Sequence, residues 1–232
     1  GKVTVNGRSA ESLRDREFAL EVGYLQQNVS LSFAYTAREI VMAGRYPRLK
    51  WWEREGVEDE AVVDACMAYT GVAELAERSI LAMSGGQRQR VLLAKVLAQQ
   101  TPLLFLDEPA TGLDIFYQEE IFRFGRELCR AGKTTLMVVH ELGLAAKFCS
   151  RLILVGCGTV VADGTPDEVL TSENLSRAYE VPVRVVKNPL TDTVEVFTEP
   201  PPDDQRRQAI LRTLLGEAVD GLDKPAAKED AG

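Results

Sequence analysis

Met83-Ser84-Gly85-Gly86-Gln87-Arg88-Gln89-Arg90 opens a long segment whose apolar residues follow a helical spacing. Ser84 and Gln87 have the spacing of a capping box, in which the serine caps a helix and the glutamine reaches back to the cap. The two glycines leave backbone N–H groups open at the positive end of that helix, where a phosphate binds favourably. Taken alone, this spacing is also that of an ordinary capped helix.

About one helix further along, Leu103-Leu104-Phe105-Leu106 is followed by Asp107-Glu108-Pro109. The apolar run predicts a buried strand that places two carboxylates at its C-terminal end, where parallel sheets bind ligands. Phosphoryl transfer needs one acid to hold Mg²⁺ and another to orient the attacking water. A strand followed by a solvated acidic turn is the alternative.

Three further segments carry polar residues at the ends of apolar runs. Ala110-Thr111-Gly112-Leu113-Asp114 follows the two carboxylates, and His140 ends a predicted strand at Thr135–Val139. His140 is the only histidine of the chain, and a lone histidine at a strand end is usually without a function. A tight turn is predicted at Asn6-Gly7, and a strand is predicted further along at Val22–Leu25. The glutamines Gln26 and Gln27 stand at the end of that strand.

Taken together, these motifs resemble those of ABC-transporter ATPases over about residues 1–185. Residues 83–90 match the signature sequence, with Met83 where leucine is usual. The resemblance implies that Ser84, Gly85, Gly86 and Gln87 bind ATP held by a second subunit.

The same resemblance assigns roles to the remaining candidates. Asp107 matches the Mg²⁺-binding acid of the Walker B strand, and Glu108 matches the general base. Asp114 matches the acid of the D-loop, and His140 the switch histidine that contacts the γ-phosphate. Gln27 matches the Q-loop glutamine of the Mg²⁺ and water shell, with Gln26 as the local alternative.

Strands that alternate with helices predict an α/β fold with a parallel sheet flanked by helices, of the P-loop NTPase type, and Leu152–Val155 continues this alternation. We expect residues 1–29 and 84–170 to form the ATPase core and residues 30–83 a helical subdomain inserted into it. Residues 171–199 are predicted to be a C-terminal extension with a small hairpin. A linker, a short helix and a disordered tail are expected over 200–232.

No G-x-x-x-x-G-K-[S/T] phosphate-binding loop occurs in the printed residues. Gly132-Lys133-Thr134 resembles its end, but Glu127 stands where the first glycine is required, and a helix-ending turn is predicted there. We therefore expect the first strand and the Walker A segment of such an ATPase to be absent, which leaves the strands at 103–106 and 136–139 with an open side. Without that loop the chain alone is expected to be inactive. Burial of the open surface is worth about 10 kcal/mol or more, so the chain alone is also expected to be unstable or prone to aggregation.

The string Gly44-Arg45-Tyr46-Pro47 is similar to that of ATPases serving siderophore, haem and cobalamin importers, as is Val161–Pro166. The resemblance to these importer ATPases implies ATP and Mg²⁺ as ligands and a homodimer of ATPase subunits. It also implies transmembrane permease subunits as partners and, indirectly, a periplasmic or lipoprotein substrate-binding protein. The location implied is the cytoplasmic face of the inner membrane. A metal-ion or molybdate importer and a non-catalytic scaffold or remnant remain alternatives. A chromosome-maintenance ATPase does not fit, since its insertion before the signature is much longer.

Composition agrees with this class of protein. The net charge of −8 and the pI of about 4.9 argue against nucleic acid as a partner. The four cysteines form no CxxC pair and do not cluster with His140, which favours reduced thiols over a zinc site.

Overall fold

A computed structural model of the chain describes residues 1–26, 33–189, 193–198 and 205–215. Gln27 therefore lies outside the described residues. The strands are β1 Thr4–Val5, β2 Arg8–Ser9, β3 Val22–Leu25, β4 Leu103–Asp107, β5 Thr134–Val138, β6 Leu152–Gly156, β7 Thr159–Gly164, β8 Val183–Lys187 and β9 Val194–Thr198. The α-helices are α1 Asp15–Glu21, α2 Ala37–Met42, α3 Val57–Tyr69, α4 Gly85–Ala98, α5 Ile115–Arg130, α6 Leu142–Phe148, α7 Pro166–Val169, α8 Ser172–Tyr179 and α9 Gln205–Leu214.

The centre of the fold is a three-stranded parallel sheet in the order β3-β4-β5. Its parallel pairing confirms the predicted α/β architecture. The strands pair in register, with Val22 opposite Leu103 and Leu103 opposite Thr134. Their carboxyl ends therefore lie at one edge of the sheet, which is where the acidic residues after β4 emerge.

The strand predicted at Leu152–Val155 forms, but it is not part of the parallel sheet. Instead, β6 pairs with β7 in an antiparallel hairpin. The turn between them contains Cys157 and Gly158, both with positive φ (50° and 72°), which is the backbone conformation that closes a two-residue hairpin. The hairpin predicted near the C-terminal end also forms, as β8 and β9.

Helix α4 covers one face of the parallel sheet. Its apolar residues, Val91, Leu92, Leu93, Ala94, Val96 and Ala98, are buried. They belong to one core cluster with Leu104 and Leu106, the inward-facing residues of β4. Helices α2 and α3 pack on the other side of α4 and contribute Val41, Val63 and Met67 to the same cluster. The helical region is thus joined to the sheet through α4.

The Gly44-Arg45-Tyr46-Pro47 string lies in a 3₁₀ segment, Ala43–Arg48, that continues directly from α2. Gly44 approaches α4 so closely that a Cβ atom there would lie 2.2 Å from the carbonyl oxygen of Lys95. Next to it, Arg45 is buried, and its Nε donates to Asp59 Oδ1 at 2.8 Å. The Gly56 backbone amide and the Arg45 guanidinium hold the pKa of Asp59 below its usual value. The string therefore forms a packing contact between the helical region and α4.

The face of the sheet opposite α4 is only partly covered. Leu136 and Val138 of β5 are 49% and 42% exposed. Around β3 and β4, a small cluster built on Val5, Leu13 and Val22 covers part of this face. In the described ranges, no helix is both long and apolar enough to cross a membrane.

We predict that Gly44→Ala lowers the free energy of unfolding by about 1–3 kcal/mol, because the added methyl group meets backbone that cannot move aside. Chemical denaturation followed by circular dichroism measures the change. Gly56→Ala is the matched control, since its Cβ would lie 3.9 Å from the nearest atom, Asp59 Oδ2. Equal stability of the two variants would contradict the close approach of Gly44 to α4.

We also predict that the chain of residues 1–232 self-associates and binds a hydrophobic dye through the open sheet face. The double variant Leu136→Lys, Val138→Lys is expected to reduce both signals, because these side chains are already half exposed. Light scattering and dye fluorescence provide the measurement. Leu106→Lys, at a fully buried position of β4, should instead unfold the chain. A monomeric wild-type chain with a sharp thermal transition and no dye binding would contradict the prediction.

Candidate functional site

The acidic residues stand where β4 leaves the sheet. The alternation of β4 buries Leu104 and Leu106 beneath α4, so Asp107 lies on the opposite face, together with Phe105. The next residue, Glu108, has φ 46°, and its backbone N–H donates to Val138 O of β5 at 3.0 Å. This left-handed backbone is uncommon for a glutamate, and it turns the chain sharply at the end of the strand.

His140 and Glu108 are in direct contact. His140 Nε2 lies 2.9 Å from Glu108 Oε1, although the residues are 32 positions apart in the sequence. The second carboxylate oxygen, Glu108 Oε2, accepts a hydrogen bond from Thr111 Oγ1 at 3.1 Å. The carboxylate is largely buried (17% exposed), whereas the histidine side chain is 71% exposed. The arrangement is a shielded carboxylate between two hydrogen-bonding groups, with a ring that solvent or a ligand can reach.

Asp107 has an aromatic neighbour that sequence reasoning missed. Tyr24 of β3 stacks on Phe105 with 5.2 Å between ring centroids, and its hydroxyl donates to Asp107 Oδ2 at the long distance of 3.5 Å. The parallel pairing of β3 with β4 places Tyr24 opposite Phe105, on the same face of the sheet. This pairing is the feature from which the contact could have been predicted. The carboxylate oxygens of Asp107 suit a hard cation such as Mg²⁺, whose other ligands are commonly phosphate oxygens and water.

At the start of α4, the predicted capping box is confirmed. Ser84 Oγ accepts from the N–H of Gln87 at 3.3 Å, and Gln87 Oε1 accepts from the N–H of Ser84 at 3.1 Å. The Gln87 side chain is therefore turned back onto the helix terminus. A Cβ at Gly85 would meet no atom within 4 Å, so the backbone is open to an approaching group there. The positive end of α4 favours an anion at this place.

The start of α5 faces the start of α4 across a cleft of about 430 Å³. Asp114 caps α5, since its Oδ1 accepts from the N–H of Tyr117 at 3.1 Å. A Cβ on Gly86 would lie 3.3 Å from Leu113 Cδ2, so the loop before α5 packs directly on the signature glycines. The lining residues are Ser84, Gly85, Gly86, Gln87, Arg90, Gly112, Leu113, Asp114 and Tyr117. Ser84–Gln87 and Asp114, predicted from sequence, thus line one cleft.

Arg90 and Tyr117 also line this cleft and were missed. The Arg90 guanidinium lies over the Tyr117 ring at 4.0 Å and donates to Gly71 O at 3.0 Å. It therefore joins α4, α5 and the turn after α3. No pattern in the sequence marks this contact, because Gly71 and Tyr117 lie 19 positions before and 27 positions after Arg90.

The structure brings the predicted residues into two groups. Asp107, Glu108 and His140 lie together at the carboxyl end of the sheet, and Ser84–Gln87 lie with Asp114 at the cleft. The three residues of the first group are not among those that line the cleft. The Gly132-Lys133-Thr134 string forms the predicted helix-ending turn, with Gly132 at φ 85° and Lys133 Nζ bonded to Thr101 O at 2.7 Å.

Comparison with known proteins places this geometry in a family. A family profile described as ABC transporter matches residues 1–111. The chain is 43% identical over 197 residues to the hemin import ATP-binding protein of Streptomyces coelicolor, a match that covers 84% of this chain and 69% of that protein. It is 38% identical over 194 residues to the ferric enterobactin transport ATP-binding protein of Escherichia coli, covering 83% and 72% of the two chains.

The fold agrees with these sequence matches. An ABC transporter described as being of the metal-chelate type, solved in an inward-facing conformation, superposes with a TM-score of 0.69 at 25% identity. The superposition covers 79% of this chain and 73% of that one. The chain belongs to the ABC transporter family, among its ATP-binding proteins.

Proposed function

We propose that the chain is the ATP-binding and ATP-hydrolysing subunit of an ABC importer that energises uptake of an iron chelate, haem or cobalamin. The observation that carries the proposal is the 2.9 Å contact between Glu108 and His140 at the carboxyl end of the sheet, in a chain 43% identical to a hemin import ATP-binding protein. A carboxylate held by a histidine is the arrangement expected of a base that orients water.

The chemistry follows from the donors at the strand ends. Asp107 would hold, through a carboxylate oxygen, the Mg²⁺ that accompanies ATP, and that ion when bound would neutralise charge on the phosphates. Glu108 accepts the proton of the water that attacks the γ-phosphorus, while ADP leaves with the β–γ bridging oxygen. His140, with its exposed ring, holds Oε1 of Glu108 and reaches toward the γ-phosphate. Gln27, outside the described residues, is proposed to complete the Mg²⁺ and water shell.

The cleft at the start of α4 is assigned to the ATP of a second subunit. Ser84, Gly85, Gly86 and Gln87 present the N-terminus of α4, and Asp114 stands across from them. Since the acids and the cleft form two separate groups, we propose a homodimer in which each group serves a different nucleotide. One group acts on the ATP of its own subunit, and the other on that of its partner.

The remaining assignments extend the proposal to the assembly. Permease subunits are proposed to dock near Gln27 and the helical region 30–83, on the cytoplasmic face of the inner membrane. A periplasmic or lipoprotein substrate-binding protein acts through the permease. The ATPase core is assigned to 1–29 and 84–170, the extension with its hairpin to 171–199, and the linker, helix and tail to 200–232.

We predict that adding the chain restores ATP hydrolysis to an intact relative whose own signature serine is replaced. The expected reason is that the start of α4 in this chain completes the site of the intact subunit. Phosphate release, measured against the concentration of added chain, provides the test. If cross-linking demonstrates the mixed dimer and hydrolysis is still not restored, the proposal is wrong.

Gly85→Asp tests the role of the α4 terminus in this experiment, and Gly56→Ala is its control. The space around Gly85 is open, so the added side chain fits, and a carboxylate at a helix N-terminus is favourable for folding. The same charge opposes a phosphate at that place. We expect wild-type stability together with loss of the restored activity, whereas Gly56→Ala should restore activity like the wild type.

A further inference from the structure

Both oxygens of the Glu108 carboxylate are held, and by different parts of the chain. Oε1 is in contact with His140 Nε2 at 2.9 Å, and Oε2 accepts from Thr111 Oγ1 at 3.1 Å. The resemblance to the ATPases assigns no role to Thr111, and its side chain is exposed. Thr111 is the only residue of the loop after β4 whose side-chain hydroxyl donates to this carboxylate among the described contacts.

The second contact limits the freedom of the carboxylate. A glutamate side chain held at one oxygen still turns about the last carbon–carbon bond, whereas one held at both oxygens has a fixed plane. A base is effective when its free lone pair points to the proton that it accepts, and a misdirection of about 1 Å lowers the rate about a hundredfold.

We propose that Thr111 is a positioning residue whose hydroxyl fixes the plane of the Glu108 carboxylate and, through it, the orientation of the His140 ring. Its effect on hydrolysis rests on the proposed function, whereas the contact itself does not. The backbone supports the geometry, because the N–H of Thr111 donates to Glu108 O at 3.3 Å and closes a turn. The Glu108 side chain reaches over that turn, where its Oε2 accepts from Thr111 Oγ1.

The position of Thr111 also connects the two groups of site residues. Gly112 and Leu113 follow it directly, and a Cβ on Gly86 would lie 3.3 Å from Leu113 Cδ2 and 3.8 Å from Gly112 O. The loop that carries Thr111 therefore lies against the glycines at the start of α4.

The single histidine makes the contact measurable without activity. In the chain labelled with ring-¹⁵N histidine, the nitrogen resonances of His140 report which ring nitrogen carries the proton and what it contacts. We compare wild type with Thr111→Val, which keeps the shape and removes the hydroxyl, and with Thr111→Ser, which keeps the hydroxyl. Glu108→Gln supplies the spectrum of a ring that has lost its carboxylate partner. Thr159→Val is the matched control, since its hydroxyl is likewise exposed and bonds Gly156 O on a distant hairpin.

Thr111→Val is expected to move the His140 resonances toward those of Glu108→Gln, while Thr111→Ser and Thr159→Val retain the wild-type spectrum. Superposition of the Thr111→Val and wild-type spectra would overturn the proposal, as would a Glu108→Gln spectrum identical to wild type. The spectra are recorded without nucleotide, so the two tests are independent. Superposed spectra overturn the positioning role of Thr111, whereas absence of all hydrolysis in the wild-type mixture contradicts the proposed function and leaves the spectral test standing.

Discussion

The packing of α4 against the parallel sheet is the contact on which the positions of all candidate residues depend. Its buried residues share one cluster with Leu104 and Leu106, so the axis of α4 is fixed relative to β4. The start of α4 carries Ser84 and the two glycines, and the end of β4 carries Asp107 and Glu108. One apolar interface therefore sets the geometry of two polar groups that share no direct hydrogen bond in the described contacts. The close approach of Gly44 to α4 and the buried Arg45–Asp59 pair hold the other side of this helix.

The two groups of site residues, at the cleft and at the strand ends, are built from different structural features. The cleft at α4 is made by helix termini: Ser84 caps α4, Asp114 caps α5, and the exposed N–H groups are a by-product of helix geometry. The group of acidic residues at the strand ends depends on the left-handed backbone of Glu108, a conformation that costs conformational free energy. Hydrogen bonds from the Glu108 N–H to β5 and from Thr111 to its side chain compensate for that conformation. Backbone strain of this kind clusters at sites where ligands bind, and Glu108 stands at the carboxyl edge of the sheet, where parallel sheets bind them.

Local structure could be predicted from the sequence, and contacts between distant segments could not. The bounds of β3 and the cap at Ser84 were correct, since apolar spacing and cap chemistry are local properties. The pairing of β6 was wrong, because a two-residue turn at Cys157-Gly158 competed with the parallel sheet. Tyr24, Thr111 and the Arg90–Tyr117 pair were missed, because each depends on register or on the crossing of helices. The roles of the site residues and the domain boundaries stay predictions.

Charge shows why the two groups need a complementary surface to bind nucleotide. The chain has a net charge of −8, and the strand-end group adds two carboxylates at the place proposed for phosphates. Among the residues that line the described cleft, Arg90 carries the one guanidinium, and it is already committed to Gly71 and Tyr117. The N-terminus of α4 supplies only a partial positive charge, of about half an elementary charge. Under the proposed function, tight binding of ATP therefore requires donors in addition to these, and the acids at the strand ends would direct the reaction of a phosphate that other groups hold.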